Sequence, residues 1–314
     1  MTVYSLLPLL ALVAPFFTGA LCLFTYPFDF LESFFRKIEK IVLLLGTGLT
    51  LLIILLIVPY ILADQILETP AFSLRADSLN MVGAIGTALI FFLASIYNVR
   101  AERGGRLKAS LYNFFTLLFL VCMLGLLFSY DLFGIFLFVE LTIGVSIVLV
   151  IHAPGKLSPE AAFKYLIITA ISALFVLLAV LMVFVITHNS NILVILDNSA
   201  LLLENPRLIM LIVVCFVIGL GADIGLVPFH GWVPDVLPAS TPIINVFFTA
   251  EPIAFMLALY KLIYPFYTIY PSQTLIWILL GIGFISVVFG ALLAYPQRDF
   301  YRMFAYCSIE EFGH

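Results

Sequence analysis

Nine stretches of about 20 apolar residues, separated by short polar connections, constrain this chain more than any other feature. A run of that length crosses the hydrocarbon core of a bilayer as one α-helix, and a helix satisfies its own peptide groups where no water can. The expected spans are 3–25, 41–63, 78–99, 110–129, 132–152, 159–187, 207–227, 241–264 and 274–295. A tenth apolar segment starts at Met303. The polar connections are too short to form a soluble domain, and 64% of residues are hydrophobic against 10% charged. The fold class that follows is all-α, a polytopic transmembrane helix bundle.

Charge places the bundle in its membrane. With the N-terminus outside, the inner side holds Arg36, Lys37, Lys40, Arg100, Arg103, Arg106, Lys108, Lys156, Lys164, Arg298 and Arg302. The outer side holds Arg75, Arg207 and Lys261, so the count is 11 against 3 of the 14 basic residues. That asymmetry predicts a multi-pass protein of the cell (inner or plasma) membrane, N-terminus outside and C-terminus cytoplasmic. The start, Met1-Thr2-Val3-Tyr4, lacks a basic leader region, so the first apolar run is expected to remain as a helix. Net charge is -4 and the basic residues form no stripe, which excludes a nucleic-acid surface. Cys22, Cys122, Cys215 and Cys307 are far apart in or beside apolar runs, with no CxxC or Cys/His cluster. Disulfide, metal and redox-centre readings are therefore poor, and no cofactor is expected in this chain.

Against that apolar background the acidic residues stand out. Glu140, in Phe138-Val139-Glu140-Leu141, lies near the middle of the fifth expected span. An ionised group at that depth costs roughly 2.5–3.5 kcal/mol on insertion scales, so it needs a partner or a hydrated cavity. It reads either as a protonated acid hydrogen-bonded to a neighbouring helix or as a relay group. Asp223 lies in a run containing Gly219, Gly221 and Gly225 and ending at Pro228, which predicts a broken seventh helix with freed carbonyls beside a polar site. The alternative is that the glycines only let helices approach closely. Glu251 precedes Pro252 and repeats the theme of an acid beside a kink. Lys164 lies one turn after Glu160 and either snorkels to the surface or faces Glu140. His230, in Phe229-His230-Gly231-Trp232, can exchange protons near neutral pH or simply belong to a loop. Acids beside interrupted helices point to an ion or proton path rather than an enzyme cleft.

Four ordered segments carry a resemblance. They are Phe138-Val139-Glu140-Leu141, Ala161-Ala162-Phe163-Lys164-Tyr165, Pro228 to Asp235 with Ser240-Thr241-Pro242, and Asp299 to Ile309. Together the chain resembles the antiporter-like proton-translocating subunits of respiratory complex I, Mrp sodium/proton antiporters and membrane-bound [NiFe] hydrogenases. The ending Ser308-Ile309-Glu310-Glu311-Phe312-Gly313 looks most like the hydrogenase-type branch.

The resemblance implies a bundle of two inverted five-helix repeats, each with a broken helix. It divides the chain into 1–109 (helices 1–3), 110–265 (the first repeat, helices 4–8) and 266–314 (the start of a second repeat). Glu140 matches the family glutamate of the fifth helix, Asp223 falls where the family usually has a lysine, and Phe248 falls near a usual histidine. The implied function is that of a membrane subunit coupling electron transfer in partner subunits to proton or sodium movement. A stand-alone Mrp-type antiporter subunit and a non-conducting scaffold are the alternatives. Implied partners are other membrane subunits and a soluble redox arm carrying iron–sulfur and [NiFe] centres. Glu140, Lys164, Asp223, His230 and Glu251 would line the path. The departures at Asp223 and Phe248 mean that a glutamate–lysine exchange cannot run unchanged. The same reading expects spans seven to nine to present a face, lined by Asp223 and Glu251, that other subunits cover.

Overall fold

The computed structural model of the chain describes residues 3–24, 32–69, 73–100, 107–197 and 200–314. Arg103 and Arg106, and the side chains of Arg36, Lys37 and Arg100, lie outside the described residues. After a 3-10 turn at Val3–Leu6 come α1 (Leu7–Phe24) and α2 (Glu32–Leu62). A hairpin of β1 (Leu67–Thr69) and β2 (Leu74–Ala76) leads into α3 (Ser78–Arg100), α4 (Ala109–Phe128), α5 (Leu132–Ile151) and α6 (Ser158–Thr187). Two short helices, α7 (Ile192–Asp197) and α8 (Ala200–Leu203), precede α9 (Pro206–Ile224). The chain ends with α10 (Val233–Ala239), α11 (Pro242–Ile269), α12 (Gln273–Ala294) and α13 (Phe300–Gly313).

Among the described residues, nine helices are long and apolar enough to cross a membrane: α1 to α6, α9, α11 and α12. They coincide with the expected spans to within a few residues, and local chemistry delimits several of them. Asp131 caps α5 by accepting from the Gly134 amide at 2.8 Å, and Thr241 caps α11 by accepting from Ile244 at 3.4 Å, with Pro242 in the first turn. Asp299 caps α13 by accepting from the Arg302 amide at 2.9 Å. The hairpin is an addition to the expected all-α fold. Its register sets Glu68 opposite Arg75, and their side chains pair at 3.1 Å.

The helices do not share the core equally. Two thirds of the α4 and α9 spans are buried within the chain, against 17% of α12. The central helix α4 packs on α1, α2, α3, α5 and α11, while α9 lies between α6 and α11. The contact of α9 with α6 is close because of Gly219, where a Cβ would come within 2.4 Å of Val176 Cγ2.

Candidate functional site

The end of α9 positions Asp223. The helix is regular through Gly219 and Gly221 and stops at Gly225, whose φ of 90° is the left-handed conformation that favours glycine. The Leu226 amide reaches back to the Gly221 carbonyl at 2.8 Å and the Gly225 amide to the Ala222 carbonyl at 3.2 Å, the Schellman pattern. Gly219 and Gly221 therefore do not interrupt the helix, a correction to the expectation that all three glycines loosen it. Two of the freed carbonyls expected here, those of Gly221 and Ala222, are paired as well. The Ala222 carbonyl also accepts from Trp232 Nε1 at 2.9 Å. Leu226 to Phe229, with Pro228 among them, and a 3-10 turn at His230–Trp232 then lead to α10.

Asp223 lies in the last turn of α9, where helix carbonyls already create negative potential. It is 4% exposed, and neither carboxylate oxygen has a hydrogen-bond partner. Across the α9–α11 contact, Glu251 is 3% exposed inside a continuous α11 that passes through Pro252. Its Oε1 accepts from the Tyr165 hydroxyl of α6 at 3.2 Å, and its Oε2 is buried without a partner. The Tyr165 hydroxyl lies 3.1 Å from Ser146 Oγ of α5, which donates to the Ile143 carbonyl at 2.8 Å. The rings of Trp232 and Phe248 flank Tyr165 at centroid distances of 4.4 and 6.1 Å. Asp223 and Glu251 thus belong to the interior of the bundle, not to an open face awaiting a partner, which corrects that expectation.

Glu140, half-buried on α5, has Oε1 shielded and unbonded. The polar partner expected from α6 or α9 is not there among the described residues. Glu140, Asp223 and Glu251 are nevertheless carried by packed helices, since α11 contacts both α5 and α9. No ion pair among the described residues involves any of the three acids.

Lys164 is not part of this group. Its ammonium pairs with Glu160 and with Asp235, each at 2.9 Å, and is about half exposed. Arg302 joins the same Asp235 at 3.2 Å and ties α13 to α10. Helix rotation explains this: Tyr165 and Ala161 point into the core, which turns Lys164 outward. His230 is half-buried with Nδ1 unbonded, and burial pushes its imidazole below its ordinary value of 6.5.

Two residues important to the arrangement escaped the sequence reading. Tyr165 could have been found, since Tyr165, Thr169 and Ser172 recur at helical spacing on one buried face of α6. Lys261 was placed on the outer side, yet it is 4% exposed inside α11. Its ammonium donates to the carbonyls of Leu126, Leu127 and Ser129 at 3.0, 2.7 and 2.9 Å, closing the C-terminus of α4. It also lies 5.2 Å from the centre of the Tyr130 ring. Tyr130 bonds Asp77, and burial together with Asp77 pushes its phenol above its ordinary value. Nothing in the local sequence signals that α4 is the recipient. Among the described residues no group of three or more His, Cys, Asp or Glu could hold a metal ion.

Comparisons with known proteins agree with this architecture. Residues 129–314 match the family model described as "NADH:quinone oxidoreductase/Mrp antiporter, TM". NADH-quinone oxidoreductase subunit N of Desulforudis audaxviator is 30% identical over 239 residues, which cover 74% of this chain and 47% of that protein. A chain of the membrane-bound sulfane sulfur reductase, an archaeal respiratory membrane complex, superposes with a TM-score of 0.81 at 23% identity, over 100% of this chain and 63% of that one. A chain of the Mrp complex from Dietzia sp. DQ12-45-1b also gives 0.81, at 20% identity, over 100% of this chain and 58% of that one. The chain spans about half the length of the curated relatives it matches.

Proposed function

The chain belongs to the NADH:quinone oxidoreductase/Mrp antiporter transmembrane family, and from that premise we propose that it is an ion-translocating membrane subunit of a complex-I-like energy-converting complex. The observation that carries the reading is the set of membrane acids Glu140, Asp223 and Glu251, none of them ion-paired among the described residues, with Asp223 and Glu251 buried on the packed helices α9 and α11. A membrane bundle has no stability reason to keep such groups, because an ionised acid there costs roughly 2.5–3.5 kcal/mol. Three acids on packed helices supply a place where a proton or a cation can reside and be exchanged.

In this reading electron transfer takes place in partner subunits bearing iron–sulfur or [NiFe] centres, and this chain supplies part of the ion path. The N-terminus faces outside, residues 1–109, 110–265 and 266–314 follow the family's helical layout, and other membrane subunits pack along the sparsely buried α12. The relatives' names support the partnership: each solved neighbour is a chain of a larger membrane complex.

The test is ion translocation by the complex containing this chain, reconstituted in vesicles. Glu251→Gln keeps shape and removes the charge, so coupled translocation should fall at least tenfold while assembly persists. Unchanged translocation in both Glu251→Gln and Asp223→Asn would replace the conducting role with a scaffold role.

A further inference from the structure

We propose that Tyr165, with Ser146 behind it, is the positioning residue that lets Glu251 alternate between carboxylate and carboxylic acid, so that the ion handled at Glu251 is the proton and not sodium. The inference rests on the ion-path reading above and adds the identity of the ion.

The geometry is a chain of hydroxyls with two polarities. The Tyr165 hydroxyl has one hydrogen and stands between two oxygens, Glu251 Oε1 at 3.2 Å and Ser146 Oγ at 3.1 Å. While Glu251 is a carboxylate, Tyr165 donates to it and Ser146 donates to Tyr165. When a proton arrives on Oε1, Glu251 becomes the donor and Tyr165 the acceptor. The Tyr165 hydrogen then turns to Ser146, whose own hydrogen turns to the Ile143 carbonyl, 2.8 Å away. The one covalent change is the O–H bond made by the arriving proton, and two hydroxyls rotate. Glu251 Oε1 and both hydroxyls stay hydrogen-bonded in both states, which a buried polar network requires.

Sodium lacks an equivalent. A bare cation needs a shell of oxygens to replace its water. At Glu251 the hydroxyl of Tyr165 is the single hydrogen-bond partner among the described residues, and the Trp232 and Phe248 rings pack around that tyrosine. Among the described residues the charged surroundings have no fixed cation to take over the balance. From α9 comes Asp223 and from α5 Glu140. On α6, Lys164 and Glu160 pair with each other, and Lys164 also holds Asp235 of α10. On α11 itself, Lys261 is committed to the end of α4. The spans of α3 and α4 that pack on α11 contain Tyr97, Tyr112 and Cys122 as their titratable groups.

The experiment is infrared difference spectroscopy across a pH step on the reconstituted complex, beside proton flux. In the unmodified protein a carboxyl band and a tyrosine C–O band should change together. Tyr165→Phe, which keeps the ring packing, and Glu251→Gln should each abolish the tyrosine change. Flux should fall at least tenfold in Tyr165→Phe, and the double variant should be no slower than Glu251→Gln alone. Ser146→Ala leaves both ring and acid in place and should shift the tyrosine band even if Tyr165→Phe fails to assemble. A tyrosine band indifferent to Glu251→Gln, additive flux losses, or bands that respond to sodium at constant pH would each overturn the proposal. Coupled bands with full flux in both Glu251→Gln and Asp223→Asn would support Tyr165 as the positioning residue and instead overturn the ion-path reading.

Discussion

One helix, α11, treats buried charge in two opposite ways, ten residues or about 15 Å apart. At Lys261 each ammonium hydrogen meets a carbonyl of the α4 end, so the charge satisfies groups that a helix terminus otherwise leaves open. At Glu251 and at Asp223 on the packed helix α9, three of four carboxylate oxygens have no hydrogen-bond partner, and neither acid has an ion-pair partner among the described residues. The first site is what a structural charge looks like. The second retains a cost that stability alone does not explain, and a retained cost is the mark of a group kept for what it exchanges.

The sharpest way to break the contrast is Lys261→Met. Three carbonyls lose their donor in a buried setting, and the loss should be on the order of 3 kcal/mol, read as a lowered melting temperature in detergent. A variant that melts like the parent would leave Lys261 without the capping role. Gly225→Ala comes next, because a Cβ there would lie 2.6 Å from Val233 Cγ2 at a φ of 90°. It should cost about 2 kcal/mol through backbone strain and crowding, with Asp223 displaced along with the helix end. Asp223→Asn should have the opposite sign. It removes an acid desolvated at the negative end of a helix, neither of whose oxygens has a hydrogen-bond partner, so stability should rise by roughly 1 kcal/mol while coupled translocation falls. A fall in stability would mean that Asp223 has a structural partner.

Smaller effects sharpen the outline. His230 sits below its ordinary value of 6.5 because burial disfavours the imidazolium. The unfolded chain therefore takes up the proton first, and the contribution of His230 to stability is complete above 6.5 and declines as pH falls below it. Thermal melts between pH 7.5 and 5 should show that decline, and His230→Gln should flatten it. Lys164→Met should leave the melting temperature unchanged, since its ion pairs are largely in solvent reach. A large loss of translocation in that variant would bring Lys164 back into the path from which its geometry separates it.

The sequence was informative where physics is local. Nine apolar runs became nine candidate spans because hydrophobic length is counted along the chain. Gly225 and Pro228 announced the end of α9 because a left-handed turn and a missing amide act within a few residues. The β1–β2 hairpin was missed because its strands are three residues each, too short for an alternating pattern. Gly219 was misread because a glycine that breaks a helix and one that admits a neighbouring helix look alike in sequence, and Gly221 simply continues the regular helix.

Which acids and bases meet was a different kind of question. Glu140, Lys164, Asp223 and Glu251 were identified as exceptional by composition and place, and that much required only the cost of charge in hydrocarbon. Their partners depended on how each helix rotates about its axis and against which neighbour it packs. Rotation turned Lys164 outward to Asp235 and brought Tyr165, one residue on, beneath Glu251. Packing brought Lys261 to carbonyls more than 130 residues earlier in the chain. The apolar runs alone decide that the chain is a membrane bundle, because transfer from water to lipid is summed residue by residue. Tertiary packing decides which buried charge is satisfied and which is left free to exchange, because a hydrogen bond needs its two partners within about 3 Å whatever their separation along the chain.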